Sequence, residues 1–380
     1  MKKRKILYIS GGNMDYGLMR ATLLAISKNP NLSLKILITG DQKETVKDIK
    51  KRGILFSHIK EIHGKGNKES RVLFISNFLS RLVKEIKKTK PDIILLLGDR
   101  AEMLAGAIAG VYLNIAVAHV HGGDKSQTED EIIRHAITKL SHIHFPTSSV
   151  SEKRIEKMGE KKDNIFIVGH PGFDEIVHPI ETDLNILKKY KLEESKPFLI
   201  VRYNPDDSLN LQNNGKRTKK ILDSIKELSI AAIVVYPNKD PGWRAVRNMI
   251  DKYKEKYPIF RVYENISRSD YIELMRRAVA LVGNSSGGVI ETAPLRLPVI
   301  SIGERQKGRE KLGNNIIEVV DYNVEEIKGA ILKARDDKKF QNKLKLYKVS
   351  ENEGHAGEKI ANLLAEIKID KFLFQKQITY

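Results

Sequence analysis

Short apolar runs alternate with amphipathic segments along the first half of the chain. The runs that predict strands are Ile6–Ser10, Leu34–Ile38, Ile93–Leu97, Ala116–Val120, Ile143–Phe145 and Ile165–Val168. Apolar residues spaced three and four positions apart predict helices over Leu18–Lys28, Ser70–Lys88 and Glu131–Leu140. Because strands and helices alternate, the pattern predicts a parallel, doubly wound α/β sheet.

The same alternation starts again after a polar, charged passage from Asp174 to Lys196. The strands predicted there are Phe198–Val201, Ile230–Val235, Phe260–Tyr263, Val279–Val282, Val299–Ile302 and Ile316–Val319. The predicted helices are Ala245–Lys256, Tyr271–Ala278, Val289–Ala293 and Val324–Ala334. We therefore expect two Rossmann-like α/β domains that face one another across a cleft, an N-terminal domain over 1–172 and a C-terminal domain over 173–357.

Length and composition narrow the class of protein. The 380 residues are enough for two domains that each bury a core. There is no cysteine, which rules out disulfides and thiolate metal sites. The apolar stretch after the basic N-terminus is too short for a signal peptide, and no stretch approaches the roughly 20 apolar residues that span a membrane. We expect a soluble, cytoplasmic protein without a membrane partner.

The charge balance raises the question of nucleic-acid binding. Lys+Arg 67 against Asp+Glu 48 gives a formal net charge of +19. The lysines are scattered over polar helix faces, however, and no aromatic residues interleave with them to stack bases. We therefore expect no nucleic-acid partner. The positive charge is still suited to drawing in an anionic substrate by long-range attraction.

Acids, bases and arginines follow two of the predicted strands. Gly98-Asp99-Arg100 comes after one strand, and His119-Val120-His121-Gly122-Gly123-Asp124 ends the next, with Asp130–His135 close behind. The carboxyl ends of parallel strands line the crevice where α/β sheets bind ligands. The alternative is that these groups only cap helices and pair with one another, but their number favours an active site.

The histidines near these strands invite a comparison with zinc sites. Half of the ten histidines lie between His119 and His144. Their spacing runs over a strand, a helix and a second strand without a compact ligand pattern, so we expect no metal. We interpret His119 and His135 as hydrogen-bonding groups that line the site, and His142 and His144 as structural.

A second motif, Gly283-Asn284-Ser285-Ser286-Gly287-Gly288, joins a predicted strand to a predicted helix. Such a turn offers backbone N–H groups and hydroxyls at a helix N-terminus, which suits a diphosphate. An N-capped helix without a ligand is the alternative. Arg305 follows the next strand, and the pair of features favours an anion site.

The two motifs, in this order, resemble those of the hydrolysing UDP-N-acetylglucosamine 2-epimerases of sialic-acid and related nonulosonate pathways. The likeness runs from the first strand to about Lys359. It implies a glycosyltransferase-B fold whose last helix, in about 358–380, packs back on the first domain. It also implies a homodimer, a UDP-sugar substrate and no redox cofactor. The implied products are UDP and N-acetylmannosamine, formed by elimination of UDP to a 2-acetamidoglucal and addition of water.

The resemblance also implies roles for individual residues. It places catalytic carboxylates at Asp99, Asp124 and Glu131. For Glu131 the alternative is a helix-dipole contact with an ion pair to Arg134. Glu291 is matched to a ribose ligand and Arg305 to a nucleotide contact. The remaining positions matched to substrate or UDP binding are Asn13, Arg100, His119, Arg134, His135, Asn204, Ser285, Ser286 and Gly287.

Several positions depart from the pattern of the family. Asn13 stands for an arginine, Gln42 and Asn204 for histidines, and Asp124 for the commoner glutamate. Charge-assisted contacts of the kind lost are worth about 1.5–3 kcal/mol each. Arg202 and Lys239 are candidates for replacement charge.

These departures leave alternatives open. They are a 2-epimerase of another UDP-sugar such as a diacetamido sugar, and a protein that binds UDP-sugars without turnover. Two further alternatives share the fold or the motifs, a non-hydrolysing 2-epimerase and a glycosyltransferase.

Overall fold

A computed structural model describes residues 3–60, 68–126, 130–206, 213–238, 240–349 and 353–380. The chain divides into two compact units. Unit 1 comprises Met1–Asp124, Glu129–His178 and Glu351–Tyr380, and unit 2 comprises Lys125–Thr128 and Pro179–Ser350.

Unit 1 is built on one parallel sheet. Its strands are β1 (Arg4–Ser10), β2 (Leu32–Thr39), β3 (Leu55–Ile59), β4 (Ile93–Leu97), β5 (Ala116–Val120) and β6 (Ile143–Phe145). Its first helices are α1 (Asn13–Lys28), α2 (Lys43–Lys51), α3 (Lys68–Thr89), α4 (Ala101–Tyr112), α5 (Asp130–Leu140), α6 (Ser149–Lys157) and α7 (Pro171–Val177). The strand order is β3-β2-β1-β4-β5-β6, so the switch in strand order falls between β1 and β4.

The strands of unit 1 are apolar because both faces of the sheet are covered. Along β1, Tyr8 packs into one hydrophobic cluster, whereas Leu7 and Ile9 pack into another. Successive side chains of a strand point to opposite faces, so a continuous apolar run serves both clusters. Strands β4 and β5 are buried along their whole length.

Unit 2 repeats this architecture. Its strands are β7 (Phe198–Arg202), β8 (Ala231–Val235), β9 (Phe260–Tyr263), β10 (Ala280–Gly283), β11 (Val299–Ile302) and β12 (Ile316–Val319). Its helices are α8 (Ile186–Lys189), α9 (Asn213–Glu227), α10 (Trp243–Lys256), α11 (Arg268–Arg277), α12 (Ser286–Glu291), α13 (Val324–Asp336) and α14 (Lys338–Lys345). The order β9-β8-β7-β10-β11-β12 places the switch between β7 and β10.

The chain then returns to unit 1 with α15 (Ala356–Glu366) and α16 (Lys371–Phe374). The Asp174 carboxylate on α7 accepts the backbone N–H groups of Ala356 (3.0 Å) and Gly357 (2.6 Å). These bonds hold the start of α15, and Phe173 on α7 is buried. Because α7 belongs to unit 1, the division falls after His178, whereas the sequence predicted it after 172. The return begins at 351, ahead of the predicted 358.

One predicted strand is wrong, and one strand of the structure was not predicted. The predicted strand Ile165–Val168 is reduced to an isolated bridge between Ile165 and His144. Strand β3 was not predicted, because it lies at the sheet edge and leaves Leu55 exposed, so it lacks a continuous buried run. Among the described residues, no helix combines the length and the apolarity needed to cross a bilayer.

Candidate active site

His119, at the end of β5, supports the turn that follows β4. Its Nε2 donates to the Gly98 carbonyl (2.7 Å), and its Nδ1 lies 3.2 Å from the Thr138 hydroxyl. Gly98 adopts a φ of +72°, and this turn leads directly into Asp99. The His119 ring is fully buried, and burial lowers its pKa to about 3, so it is neutral. His119 therefore supports the Gly98 turn from a buried position, and its predicted contact with substrate stays a prediction.

Arg134 on α5 connects the two acidic strand ends. Its guanidinium donates to the Asp99 carboxylate and, through Nη1, to the Asp124 backbone carbonyl at 2.9 Å. Burial alone would lower the Arg134 pKa, but the Asp99 and Asp124 charges raise it, so the guanidinium stays charged. The sequence left open an ion pair between Arg134 and Glu131. In the structure, Arg134 joins Asp99 to Asp124.

The Asp124 carboxylate is held by donors from three directions. Oδ1 accepts the Ser151 hydroxyl at 2.7 Å and lies 3.4 Å from the Thr147 hydroxyl, while Oδ2 lies 3.1 Å from His121 Nδ1. Burial by itself would raise the Asp124 pKa. The hydrogen bonds from His121 and Ser151 outweigh burial and hold this pKa well below its usual range. Asp124 is therefore a fixed anion.

Glycine is required immediately before Asp124. Gly123 has a φ of +78°, and a Cβ there would lie 2.4 Å from the Ser151 carbonyl oxygen. The close approach brings α6, and with it the Ser151 hydroxyl, onto the Asp124 carboxylate.

Glu131 and His135 lie one helical turn apart on α5. The Glu131 carboxylate is 3.7 Å from His135 Nε2, and both side chains remain partly exposed. Burial lowers the His135 pKa, so the ring favours its neutral form. This pair flanks Arg134 in the chain and is open to solvent, as a substrate contact requires.

Arg100 begins α4 next to the end of β1. Its Nε lies 3.4 Å from carboxylate oxygens of both Asp15 and Glu102, yet its side chain is 47% exposed. Burial, opposed by Arg100 and reinforced by Glu102, raises the Asp15 pKa to about 6. Asp15 was not predicted as a site residue, although it lies two residues after Asn13, which the resemblance matched to substrate or UDP binding.

The altered positions Asn13 and Gln42 are occupied by protein contacts. Asn13 Oδ1 accepts the Thr45 hydroxyl at 2.8 Å. Gln42 is buried; its Oε1 accepts the Ser10 hydroxyl, and its Nε2 donates to the Ser10 and Thr39 carbonyls, each at 2.8 Å. Gln42 thus joins the ends of β1 and β2.

In unit 2, the third altered position, Asn204, connects β7 and β10, the two strands at the switch in strand order. Asn204, which follows β7, donates its backbone N–H to Asn284 Oδ1 (2.7 Å) and accepts Asn284 Nδ2 at its carbonyl (2.9 Å). Its own Oδ1 accepts the Asn238 N–H at 3.0 Å. Asn204 is buried, and its side-chain oxygen is committed to the backbone. Lys239, one of the two candidates for replacement charge, lies outside the described residues.

The turn before α12 has the form that the sequence predicted. Gly283 has a φ of +145°, and a Cβ there would lie 2.0 Å from the Arg202 carbonyl, so only glycine fits. Ser285 occupies the N-cap position of α12, followed by Ser286 and Gly287 in its first turn.

The other predicted nucleotide contacts of unit 2 pair with charged side chains. Buried Glu291, at the end of α12, forms an ion pair with Arg268 on α11. Arg305 Nη2 lies 3.5 Å from Asp240. No sequence signal pointed to Arg268, because its role depends on the packing of a distant helix. In the part of the chain that the structure describes, no three His, Asp or Glu side chains are grouped to hold a metal ion.

Comparisons with known proteins agree with this arrangement. Residues 24–365 match the family model described as UDP-N-acetylglucosamine 2-epimerase. The chain is 33% identical, over 99% of its length and 100% of the relative, to a Legionella pneumophila protein named UDP-N,N'-diacetylbacillosamine 2-epimerase (hydrolyzing). It is 31% identical, over 89% of each chain, to a Neisseria meningitidis protein named UDP-N-acetylglucosamine 2-epimerase.

A solved structure shows the same fold. The crystal structure of UDP-GlcNAc 2-epimerase from Neisseria meningitidis, bound to UDP-GlcNAc, matches with a TM-score of 0.79 at 18% identity, covering 96% of this chain and 100% of the other. The predicted two-domain α/β fold of the glycosyltransferase-B class is confirmed by this likeness and by the two parallel sheets.

The fold and these matches define the protein as a UDP-sugar 2-epimerase. The chain belongs to the UDP-N-acetylglucosamine 2-epimerase family. The membership predicted from the two motifs is thereby confirmed.

Proposed function

We propose that the protein is a hydrolysing 2-epimerase that converts a UDP-linked 2-acetamido sugar into UDP and the free 2-epimeric sugar. A base removes the proton from C2 while the C1–O bond to UDP breaks, which leaves a C1=C2 double bond. Water then adds its hydroxyl to C1, and a proton returns to C2 from the opposite face. The observation that carries this proposal is the contact of Arg134 with both Asp99 and Asp124, at the ends of the adjacent strands β4 and β5.

The carboxylates Asp99, Asp124 and Glu131 are the charged groups on which proton transfer in this reaction depends, either by exchanging the proton or by orienting the group that does. Arg134 forms an ion pair with Asp99, so a fixed positive charge lies beside this carboxyl group. The half-exposed guanidinium of Arg100 is suited to the negative charge that develops on the departing diphosphate. Asn13 and His135 complete the sugar side of the proposed site.

We place the UDP moiety in unit 2. The start of α12 offers Ser285, Ser286 and the Gly287 backbone to the diphosphate, since unpaired N–H groups at a helix start attract anions. Glu291 is proposed to take the ribose hydroxyls, with Arg268 holding its carboxylate, and Arg305 to contact the nucleotide.

A UDP-linked diacetamido sugar, UDP-N,N'-diacetylbacillosamine, is the substrate that we favour. Its support is the Legionella relative, which aligns over nearly the whole of both chains. The altered positions Asn13, Gln42 and Asn204 are consistent with a changed sugar preference, because their side-chain oxygens are taken up by protein groups. UDP-N-acetylglucosamine is the second candidate, supported by the Neisseria relative.

The test is incubation of each nucleotide sugar with the protein in deuterium oxide, followed by proton NMR. We expect release of UDP together with free sugar that is epimerised and deuterated at C2, and faster turnover of the diacetamido substrate. Faster turnover of UDP-N-acetylglucosamine would reverse the substrate assignment. Epimerised sugar still joined to UDP would identify a non-hydrolysing enzyme, and two inert substrates would refute the proposal.

A further inference from the structure

His121 is a site histidine to which the proposed reaction has given no task. It directly follows β5, and its Nδ1 lies 3.1 Å from Asp124 Oδ2. Its side chain is 12% exposed. Among the described residues, no group is in hydrogen-bonding contact with its Nε2, and this atom is not one of the buried side-chain atoms that lack a partner. One ring nitrogen is therefore anchored, and the other opens to solvent.

The backbone at His121 is held in an unusual conformation. Its φ is +64°, in the left-handed region that residues other than glycine rarely adopt. The His121 N–H donates to the Phe145 carbonyl at the end of β6 (3.2 Å), and the His170 ring packs edge-on at 5.3 Å. Such conformations persist where the surroundings over-determine them, and they concentrate at functional sites.

The surroundings of Asp124 suit an orienting group better than a base. Its carboxylate receives three donors and carries a fixed negative charge, so it accepts a further proton only reluctantly. An anion beside Nδ1 keeps the imidazole proton on Nδ1 and leaves a lone pair on Nε2. This is the arrangement by which a carboxylate prepares a histidine as a general base.

We propose that His121 is the base that removes the C2 proton, and that Asp124 is the positioning residue that orients it. This inference rests on the proposed function. Nε2 takes the proton, the C2–H electron pair forms the C1=C2 bond, and the C1–O pair leaves with UDP. The imidazolium then passes its proton to solvent. Asp99 and Glu131 remain for the hydration step.

The test compares His121→Gly and His121→Asn with Asp124→Asn. Glycine and asparagine both tolerate the positive φ, so these variants keep the backbone, and glycine leaves room for added imidazole. We expect His121→Gly and His121→Asn to lose about a thousandfold in kcat with little change in KM, within the range of general-base catalysis. Imidazole should restore the His121→Gly rate at least about tenfold, in proportion to its concentration, and leave His121→Asn and Asp124→Asn unchanged.

The exposed His178→Gln variant is the matched control and should keep the wild-type rate. A His121→Gly enzyme within about fivefold of wild type, or one that imidazole does not rescue, would overturn the assignment and return the role of base to Asp124. Measuring the release of UDP by the wild-type protein distinguishes a failure of the proposed function from a failure of the assignment of His121 as the base. If the wild-type protein releases none from either substrate, the proposed function fails and this inference fails with it.

Discussion

Asp99 and Asp124 carry the same functional group in different surroundings. Asp124 is held by hydroxyl and imidazole donors, whereas Asp99 pairs with the Arg134 guanidinium. Polar residues near the strand ends diverge in the same way: Gln42 and Asn204 bond to the backbone, while Arg100 keeps half of its side chain in solvent. Residue type alone therefore does not assign a role.

Replacing Asp99 by asparagine should lower kcat/KM about a thousandfold, because the amide neither accepts a proton nor balances Arg134. Steady-state release of UDP measures the loss. Asp92→Asn is the matched control, since Asp92 is exposed and lies just before β4, at the opposite end from Asp99, where its carboxylate accepts the Lys5 N–H at 2.7 Å. Equal losses in the two variants would contradict a catalytic role for Asp99.

Asp15→Asn should stabilise the protein at neutral pH. Burial raises the Asp15 pKa from 3.8 to about 6, so the folded state binds this proton more tightly than the unfolded state. Its contribution to stability is complete below about pH 4 and is lost as the pH rises through 6. The variant should gain on the order of 3 kcal/mol in free energy of unfolding at pH 7.5. Urea denaturation at pH 4 and 7.5 measures the gain, and an equal effect at both pH values would refute this account.

At the scale of elements, α5 connects the strand ends to the C-terminal segment. Lys376 Nζ donates to the Ser141 carbonyl at 2.6 Å and the Thr138 carbonyl at 3.3 Å, at the C-terminal end of α5. It also pairs with buried Glu160 at 2.7 Å. His142 packs against Phe374. The C-terminal segment therefore holds the helix that presents Arg134.

Lys376→Met should lower the free energy of unfolding by about 2 kcal/mol, the scale of hydrogen bonds from a charged donor. Glu160 keeps its contacts with Lys139 and His144, which limits the loss. Urea denaturation checks the value. Lys371→Met, at an exposed position of α16, should change the free energy of unfolding by less than about 0.5 kcal/mol. Similar losses in the two variants would show that the bonds to α5 contribute little.

Gly123→Ala tests the close contact between the Gly123 turn and α6. Alanine at position 123 would adopt an unfavourable φ, and its Cβ would lie 2.4 Å from the Ser151 carbonyl oxygen. We therefore expect the free energy of unfolding to fall by about 3 kcal/mol and most of the activity to be lost. Gly53→Ala is matched, since its φ is +65° and nothing lies within 4 Å of the added Cβ. Gly53→Ala should lower the free energy of unfolding by about 1 kcal/mol. Thermal and urea unfolding distinguish the two, and equal costs would exclude a steric role for Gly123.

At the scale of the whole molecule, the net charge of +19 acts on any anionic ligand. Attraction of this kind is weakened by salt, because ions screen charges beyond about 10 Å at 0.1 M. The homodimer and the cytoplasmic location stay predictions at this scale, as does the absence of a cofactor.

Raising the salt concentration should therefore weaken UDP binding more than uridine binding. From about 0.05 to 0.5 M potassium chloride, we expect the Kd of UDP to rise about tenfold and that of neutral uridine to stay within about twofold. Isothermal titration calorimetry measures both. If salt raised the Kd of UDP and the Kd of uridine equally, attraction by the net charge would not explain the weaker binding of UDP.

The sequence by itself determined most of the fold, for a physical reason. Strands buried on both faces, such as β4 and β5, are continuous apolar runs that need no knowledge of neighbours. Edge strand β3 and the division after His178 depended on contacts that no local pattern records.

The contacts within the candidate site were likewise not recorded in any local pattern of the sequence. The sequence determined that acids, histidines and arginines follow adjacent strand ends, and the resemblance of its two motifs to a known family predicted the membership that the family model confirms. Only the tertiary structure decided that His119 is sealed beneath the Gly98 turn while His121 opens to solvent on Asp124. The tertiary structure also decided that Arg134 donates a hydrogen bond to the Asp99 carboxylate. These outcomes depend on backbone angles and on distant residues such as Ser151 and His170, which meet the strand ends only when the chain is folded.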